Sequence, residues 1–243
     1  MKISIAQINP IVGDFEYNLN LIKKFWLSAD KKSDIYPSRM KKMARRTTVE
    51  DRKPILNRCE PEIRQCNNAR ASFLMGIILF PELCVCGYNP QDLALRAEFI
   101  EDCENSVKSL VEYSKNLESA AIIGSISRKE GKIYNSAFLI YQGQILHSHN
   151  KIALPNYGVF DDKRIFSAGD EIKAFEFNGQ KVAIVICEDM WEDELYKDLK
   201  SEDIYPSRMK KMARRTIALE RKPILNSGYP KICLLYTSDA ADE

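Results

Sequence analysis

The sequence predicts a mixed α/β sandwich rather than a simple doubly wound parallel sheet. Short apolar runs alternate with helical patterns in the first part of the chain, and hairpins with turns at Gly131 and Gly143 follow. The chain has 243 residues, of which 45% are hydrophobic and 29% charged, so one sizeable domain with a real core is expected.

Strands are predicted where apolar residues alternate or form a short continuous run. The six predicted strands are Ile3–Ile8, Ile77–Phe80, Ala120–Ser125, Ser136–Tyr141, Lys173–Phe177 and Lys181–Cys187. Helices are predicted where apolar residues recur at helical spacing. The three predicted helices are Glu16–Trp26, Arg96–Leu117 and Glu188–Lys200.

One stretch of the chain occurs twice. Asp34–Thr47 recurs letter for letter as Asp203–Thr216, and Arg52–Asn57 recurs as Arg221–Asn226 in the same register. True repeats drift and tile a chain, whereas these copies have unrelated flanks. The sequence therefore indicates duplicated foreign sequence, and the residues from Cys233 onward resemble the translation of a sequencing adapter.

These segments suggest a division of the chain. Residues 1–202 are interpreted as one domain with a suspect insert at about 35–76, and residues 203–243 as a repeated basic segment plus an adapter-like tail that are not native. Joining Asp34-Ile35 directly to Ile78 would give one continuous strand entering Pro81-Glu82. An insert between a helix and a strand is tolerable because loop-closure entropy grows slowly with loop length.

The basic charge of the chain comes from the duplicated segments. Residues 34–57 and 203–226 each carry seven lysines and arginines, and together they carry five acids. Without them, 22 basic and 29 acidic residues remain, so the formal net charge changes from +2 to −7. An acidic domain argues against a phosphate-binding surface. A basic amphipathic helix that binds nucleic acid or a membrane surface, with Met40 and Met43 beside lysines and arginines, stays open as a disfavoured alternative.

Composition also bears on compartment and metal binding. No apolar run approaches the roughly 20 residues of a membrane span. Seven cysteines, an odd number without small-scaffold spacing, predict reduced thiols in the cytoplasm. Cys84 and Cys86 do not have metal-ligand spacing, and the only histidines are His147 and His149, so no zinc site is expected.

Three chemically distinct side chains occur at or near predicted strand ends. Glu82 follows Ile77–Phe80, Lys151 follows a polar stretch, and Cys187 ends an apolar run and precedes a predicted helix. Taken singly, they could be a turn or cap carboxylate, a surface lysine and a buried thiol. Together, a carboxylate, an ammonium and a thiol are the parts of an acyl-transfer site. A helix N-terminus after the cysteine would favour its thiolate.

These motifs resemble the nitrilase, or carbon–nitrogen hydrolase, superfamily, whose triad is Glu, Lys and Cys. Three strings narrow the resemblance to the N-terminal glutaminase domain of glutamine-dependent NAD synthetases. They are AQINPIVGD from Ala6, GYNPQDL from Gly87 and KIALPNYGVFDDKR from Lys151. The similarity covers Met1–Ser33 and Ile77–Ser201 in family order and spacing.

The resemblance implies an αββα four-layer sandwich, here expected to be incomplete after the strand of the catalytic cysteine. It implies that Cys187 attacks the glutamine side-chain carbonyl and that Glu82 takes the thiol proton and passes it to ammonia. Lys151 would stabilise the oxyanion, by about 3 kcal/mol if it resembles a single oxyanion-hole donor.

The resemblance also implies a substrate pocket formed by Tyr88, Tyr157, Phe160 and Glu188. Packing in the core is the alternative for the aromatic residues. A carboxylate at Glu188 opposes thiolate formation next to it unless it turns toward the substrate amine.

The implied partners are L-glutamine and a synthetase domain that uses the released ammonia to amidate deamido-NAD. That domain is not expected in this chain, which has no phosphate-loop motif. ATP and magnesium are expected only there, no cofactor is expected for the glutaminase half, and the full-length family implies a homo-oligomer. A stand-alone amidase of the same superfamily acting on another small amide is the enzymatic alternative.

Overall fold

The computed structural model describes residues 2–31, 63–66, 76–158, 160–196 and 231–236. In chain order the elements are β1 (Lys2–Ala6), α1 (Phe15–Lys31), β2 (Ile63–Cys66), β3 (Gly76–Leu79), α2 (Ala97–Tyr113), β4 (Ala120–Lys129), β5 (Lys132–Tyr141), β6 (Gln144–Asn150), α3 (Asp162–Ile165), β7 (Ala174–Phe177), β8 (Gln180–Ile186) and β9 (Lys231–Tyr236). Single 3₁₀ turns occupy Gln91–Leu95, Ser114–Asn116, Cys187–Trp191 and Asp193–Tyr196.

The strands of the described residues form two sheets. The larger sheet has the order β2-β1-β3-β4-β5-β6, in which β3 is parallel to β1 and β4, and β4, β5 and β6 are antiparallel. The smaller sheet has the order β7-β8-β9, with β8 antiparallel to β7 and parallel to β9. This mixture of parallel pairs and hairpins confirms the predicted α/β class.

The two sheets face each other across the main core. Tyr141 of β5 packs edge-on against Phe177 of β7 at 5.7 Å, and His147 of β6 stacks on Phe175 at 4.1 Å between ring centroids. The helices α1 and α2 contribute Ile22, Trp26, Val107 and Leu110 to the same cluster. The described residues thus supply a helical layer and two sheet layers of the expected sandwich.

The helical layer is tied to the sheet by buried polar contacts as well as by apolar packing. Trp26 of α1 is fully buried, and its indole Nε1 donates to the carbonyl of Ser119 at 3.1 Å, just before β4 begins. Its ring meets Tyr113 of α2 edge-on, with 6.1 Å between centroids. A buried indole needs such a partner because an unpaired N–H would be costly.

Two predicted strands and the first predicted helix were too short, since α1 continues to Lys31, and the strands β2, β6 and β9 were not predicted. β4 continues to Lys129 and β5 already begins at Lys132, because the two strands pair along the whole length of their hairpin. β6 carries a polar sequence, and its residues Gln144–Leu146 are exposed, so it lacks the buried apolar signal by which strands were predicted.

The predicted helix after Cys187 was wrong over residues 188–196. Two short 3₁₀ turns occupy this stretch instead, and residues 197–200 lie outside the described part. The first turn is held by Asp189, whose carboxylate accepts the N–H of Ile186. A side chain that competes for backbone donors in this way favours a cap or turn over a helix interior.

Parts of both suspect segments form strands. β2, in the proposed insert, is antiparallel to β1, and β9, in the proposed tail, is parallel to β8. Strand pairing does not decide where a sequence came from, so the proposed domain division stays a prediction. The duplicated basic stretches themselves lie outside the described residues.

The loop after β3 is locked to the start of α1. Asn18 is fully buried, its amide Nδ2 donates to the carbonyls of Ile11 and Val85, and its Oδ1 accepts the N–H of Ile11. Gly87 has φ +83°, and a Cβ there would lie 2.6 Å from the backbone of Val12. This close approach fixes the loop that carries Glu82.

Within the described residues, no helix combines the length and apolar character required to cross a membrane.

The close approach at Gly87 predicts an unusual sensitivity to alanine. Gly87→Ala should lower the free energy of unfolding by about 3 kcal/mol or more, because it adds a backbone clash to the cost of a left-handed residue. Gly131→Ala is the matched control, since its φ is +76° but the space around it is open, and it should cost only about 1 kcal/mol. Urea unfolding measures both values, and equal losses would contradict the clash.

Candidate active site

The centre of the site is the ammonium group of Lys151, just past the end of β6. Its side chain is fully buried, and Nζ donates to Glu82 Oε1 at 2.9 Å and to Asp162 Oδ2 at 2.8 Å. Burial alone would lower the pKa of Lys151, but the negative charges of Glu82, Cys187 and Asp162 outweigh that penalty and raise it. The lysine is therefore a permanent cation.

Glu82 is positioned by the tight turn that follows β3. The next residue, Leu83, has φ +51°, and the turn leaves the carboxyl group fully buried beside Lys151. Burial raises the pKa of Glu82, and the charge of Lys151 opposes that rise. A carboxylate with a raised pKa, next to a cation that keeps it ionisable, suits proton transfer near neutral pH.

Cys187 lies at the corner between β8 and the first 3₁₀ turn after it. It has φ +46°, a left-handed conformation that is uncommon for residues other than glycine. The side chain is partly exposed and lies close enough to Lys151 and Tyr88 for its thiolate form to contribute to the raised pKa of both. A strained corner that presents a thiol beside a buried cation suits a nucleophile.

The structure places a different source of positive charge beside this thiol from the one the sequence predicted. A 3₁₀ turn of five residues does not have the dipole of a long helix. The positive charge next to Cys187 is the ammonium group of Lys151.

Asp189 joins the cysteine corner to the lysine segment. Its Oδ2 accepts the N–H of Ile186 and pairs with His149 Nε2 at 2.9 Å, while Oδ1 accepts the N–H groups of Ile152 and Ala153 at 2.9 and 2.7 Å. Asp189 and His149 are both buried. One carboxylate therefore holds the backbone on both sides of the site, which fixes Lys151 relative to Cys187.

Sequence reasoning missed the roles of Asp189, Asp162 and Asn135. Asn135 Nδ2 donates to Glu82 Oε1 at 2.6 Å, and Asp162 begins the short helix α3. Asp162 lies inside the quoted string that begins at Lys151, 11 residues after the lysine, and its place in that motif was the available signal. Asn135 had none, because it lies 53 residues from its partner.

Tyr88 lies beside the triad. Its hydroxyl is buried and has no partner among the described residues. Burial raises the pKa of its phenol, and the charges of Glu82 and Asp162 raise it further. The phenol thus stays protonated and can donate a hydrogen bond.

Three other predicted pocket residues lie together at the solvent-exposed edge of the site, which we call the rim. Tyr157, which is 59% exposed, donates from its hydroxyl to Glu188 Oε2 at 3.0 Å, and this bond raises the pKa of Tyr157. Its ring meets Phe160 edge-on, with 5.7 Å between centroids. The exposure of Tyr157 disfavours the core-packing alternative for this residue, and Glu188 points toward the tyrosine rather than into the core.

These groups together can carry out acyl transfer. They provide a thiol nucleophile, a carboxylate to accept its proton, and an ammonium group to stabilise an oxyanion. Two of the three N–H donors of Lys151 have partners among the described residues, which leaves one for a substrate oxygen.

Comparison with protein families gives a match to the carbon–nitrogen hydrolase model over residues 2–213. Among curated proteins, glutamine-dependent NAD(+) synthetase of Thermotoga maritima is 30% identical over 192 residues, which is 79% of this chain and 26% of that protein. The synthetase of Aquifex aeolicus is 39% identical over 115 residues, or 47% of this chain and 20% of that protein. The chain thus spans about a quarter of the length of these relatives.

Solved structures show the same relationship. Glutamine-dependent NAD+ synthetase from Acinetobacter baumannii aligns with 84% of this chain and 30% of its own, with a TM-score of 0.60 and 27% identity. An amidase from Nesterenkonia sp. aligns with 80% of this chain and 58% of its own, with a TM-score of 0.57 and 18% identity, which supports the fold alone.

Removing the buried cation should destabilise the protein in a pH-dependent way. Lys151→Met leaves Glu82 and Asp162 buried without a counter-charge, at a cost of about 3–5 kcal/mol at pH 8. The pKa of Glu82 then rises further above its unfolded value, so the protonated folded form is favoured and the loss shrinks as the pH falls toward 5. Urea unfolding of both proteins at several pH values checks this. Lys163→Met, at an exposed lysine of the same segment, should change little at any pH.

The carboxylate of Asp189 should contribute more to stability than its neighbour Glu188. Asp189→Ala leaves three backbone N–H groups without their acceptor and should lower the free energy of unfolding by about 3 kcal/mol or more. Glu188→Ala removes only a rim contact and should change it by less than about 0.5 kcal/mol. Thermal and urea unfolding measure the difference, and similar values would contradict a clamp at Asp189.

Proposed function

Because the chain belongs to the carbon–nitrogen hydrolase family, we propose that it is the glutamine-hydrolysing part of a glutamine-dependent NAD synthetase. The observation that carries the proposal is the fully buried ammonium of Lys151 held against Glu82 at 2.9 Å, beside the strained corner of Cys187. Relatives that share this region are glutamine-dependent NAD synthetases.

In the first half of the reaction, glutamine is cleaved and ammonia released. The thiol proton of Cys187 passes to Glu82 as the sulfur forms a bond to the side-chain carbonyl carbon of glutamine. The free N–H of Lys151 donates to the oxyanion that develops. The C–N bond then breaks, and the amide nitrogen leaves as ammonia with the proton held by Glu82.

In the second half, water regenerates the thiol. Glu82, again a carboxylate, takes a proton from water as the hydroxyl oxygen bonds to the thioester carbon. The C–S bond breaks, Cys187 recovers its proton, and glutamate leaves. Every proton transfer uses one carboxyl group, so the environment that keeps Glu82 ionisable governs both halves of the reaction.

Four residues are proposed to recognise the substrate. The unpartnered phenol of Tyr88 lies beside the triad, where it can donate to the glutamine amide or its carboxylate. Glu188 is proposed to accept the substrate α-ammonium group, with Tyr157 orienting it from the rim. Phe160 supports the ring of Tyr157.

The proposed partner is the synthetase domain that accepts ammonia and amidates deamido-NAD. The hydrolytic half needs a nucleophile, a base, a cation and water, all supplied by side chains and solvent. ATP and magnesium ions are accordingly proposed for the synthetase half alone. The four cysteines whose side chains are described carry thiols rather than disulfides, in line with the proposed cytoplasmic location. A homo-oligomer is proposed for the full-length protein.

A stand-alone amidase is the second candidate, because the fold of the Nesterenkonia amidase matches 80% of the chain. The two functions differ in the substrate. An amidase would turn over simple aliphatic amides, whereas a glutaminase requires the charged end of glutamine at the rim near Glu188.

Ammonia release from glutamine should depend on Cys187 and not on other thiols. Cys187→Ala should lower the rate at least about a thousandfold, because the nucleophile is lost. Cys103→Ala, at a buried free thiol in α2, should retain the wild-type rate. A coupled ammonia assay with glutamine, acetamide and propionamide measures both variants.

A chloroketone analogue of glutamine provides the complementary test. It should add once to Cys187, as intact mass and peptide mapping would show. Turnover of the aliphatic amides alone would favour the amidase, and a folded protein that neither forms the adduct nor releases ammonia from glutamine would contradict the proposed function.

A further inference from the structure

The two oxygens of the Glu82 carboxyl group have different surroundings. Oε1 accepts two hydrogen bonds, from Lys151 Nζ at 2.9 Å and from Asn135 Nδ2 at 2.6 Å. Oε2 is buried and has no partner among the described residues. A carboxylate with one saturated and one empty oxygen can accept an incoming proton on the empty oxygen only.

Asn135 is suited to maintain this asymmetry because it is held by the sheet. It lies on β5, is 1% exposed, and pairs with Ile126 of β4. Its own carbonyl accepts the N–H of Lys151 at 2.8 Å. A single residue therefore positions the backbone of the lysine and the side chain of the glutamate.

The orientation of the Asn135 amide follows from its neighbour. With Nδ2 toward Glu82, a donor meets an acceptor at 2.6 Å. The reverse orientation would bring two acceptor oxygens to that separation, which is repulsive. The other amide atom, Oδ1, is buried without a partner in the described part of the chain. The free-energy cost of leaving Oδ1 without a partner is offset by the hydrogen bond that Nδ2 donates to the carboxylate.

We propose that Asn135 is a positioning residue that selects Oε2 of Glu82 as the atom that takes the proton of Cys187. The inference deepens the proposed function and rests on it. In the step concerned, the S–H bond of Cys187 breaks, an O–H bond forms at Oε2, and the donors from Asn135 and Lys151 stay on Oε1.

The same hydrogen bond tunes the proton affinity of the base. Burial raises the pKa of Glu82, whereas donation from Lys151 and from Asn135 lowers it. Loss of the Asn135 donor should therefore shift protonation of the thiol–carboxylate pair to higher pH. Two interacting groups titrate together, so the shift belongs to the pair.

The test is the pH dependence of Cys187 alkylation by iodoacetamide, without glutamine, in the full chain. Peptide mapping by mass spectrometry separates Cys187 from the other six cysteines. Asn135→Leu, which keeps the approximate size and loses the donor without adding a charge, should move the acid limb of the rate profile up by about one pH unit. Labelling below the midpoint should then be about tenfold slower, while the alkaline plateau changes less than about threefold. Asn135→Ala should shift the limb in the same direction and serves if the leucine variant does not fold.

The matched control is Ser136→Ala on the same strand. Ser136 is buried and hydrogen-bonded to Asn150 and Ser127, and no hydrogen bond joins it to Glu82 in the described structure. This variant should lose stability but keep the wild-type midpoint. Circular dichroism confirms that each variant is folded before labelling.

The outcomes separate the two proposals. The positioning role would be overturned if folded Asn135 variants keep the wild-type midpoint. It would also be overturned if their labelling falls by the same factor at every pH, as a general structural defect would cause. A wild-type thiol that titrates like free cysteine would overturn it as well. If the midpoint shifts but wild-type protein releases no ammonia from glutamine, the proposed function fails and the role of Asn135 stands.

Discussion

The buried ammonium of Lys151 lies between two carboxylates, and the geometry of the site depends on this arrangement. Glu82 comes from the turn after β3, Asp162 from α3 and Lys151 from the end of β6, so one cation joins three separate segments. A buried charge is tolerated only when it is paired and hydrogen-bonded. The same pairing that stabilises the ion also fixes the position of the candidate base Glu82.

The strands that precede Glu82 and Cys187 could be predicted from sequence because both are short apolar runs. Periodicity alone locates β3 and β8, and chemistry then selects Glu82 and Cys187 at their ends. The edge strand β6 was harder, since its polar, largely exposed residues do not give the apolar pattern of a strand. Lys151 was identified from its motif rather than from the strand that positions it.

The supporting residues could not be predicted because their roles depend on contacts between distant parts of the chain. Asn135 reaches Glu82 across 53 residues, and Asp189 reaches Ile152 across 37. No local pattern distinguishes such residues from ordinary polar side chains. The predicted helix after Cys187 failed for a related reason, since the side chain of Asp189 captures a backbone donor at the corner. At this corner the hydrogen bonds of Asp189, which join it to the segment after Lys151, outweigh the local helix propensity.

The left-handed backbone at Cys187 limits which nucleophiles this corner could hold. With φ at +46°, a β-branched side chain would be strongly disfavoured. A threonine nucleophile is therefore strongly disfavoured by the backbone conformation alone. Serine would fit, but its hydroxyl gives up a proton far less readily than a thiol. The corner thus restricts the nucleophile by shape, and a carboxylate as the proton acceptor favours cysteine over serine by acidity.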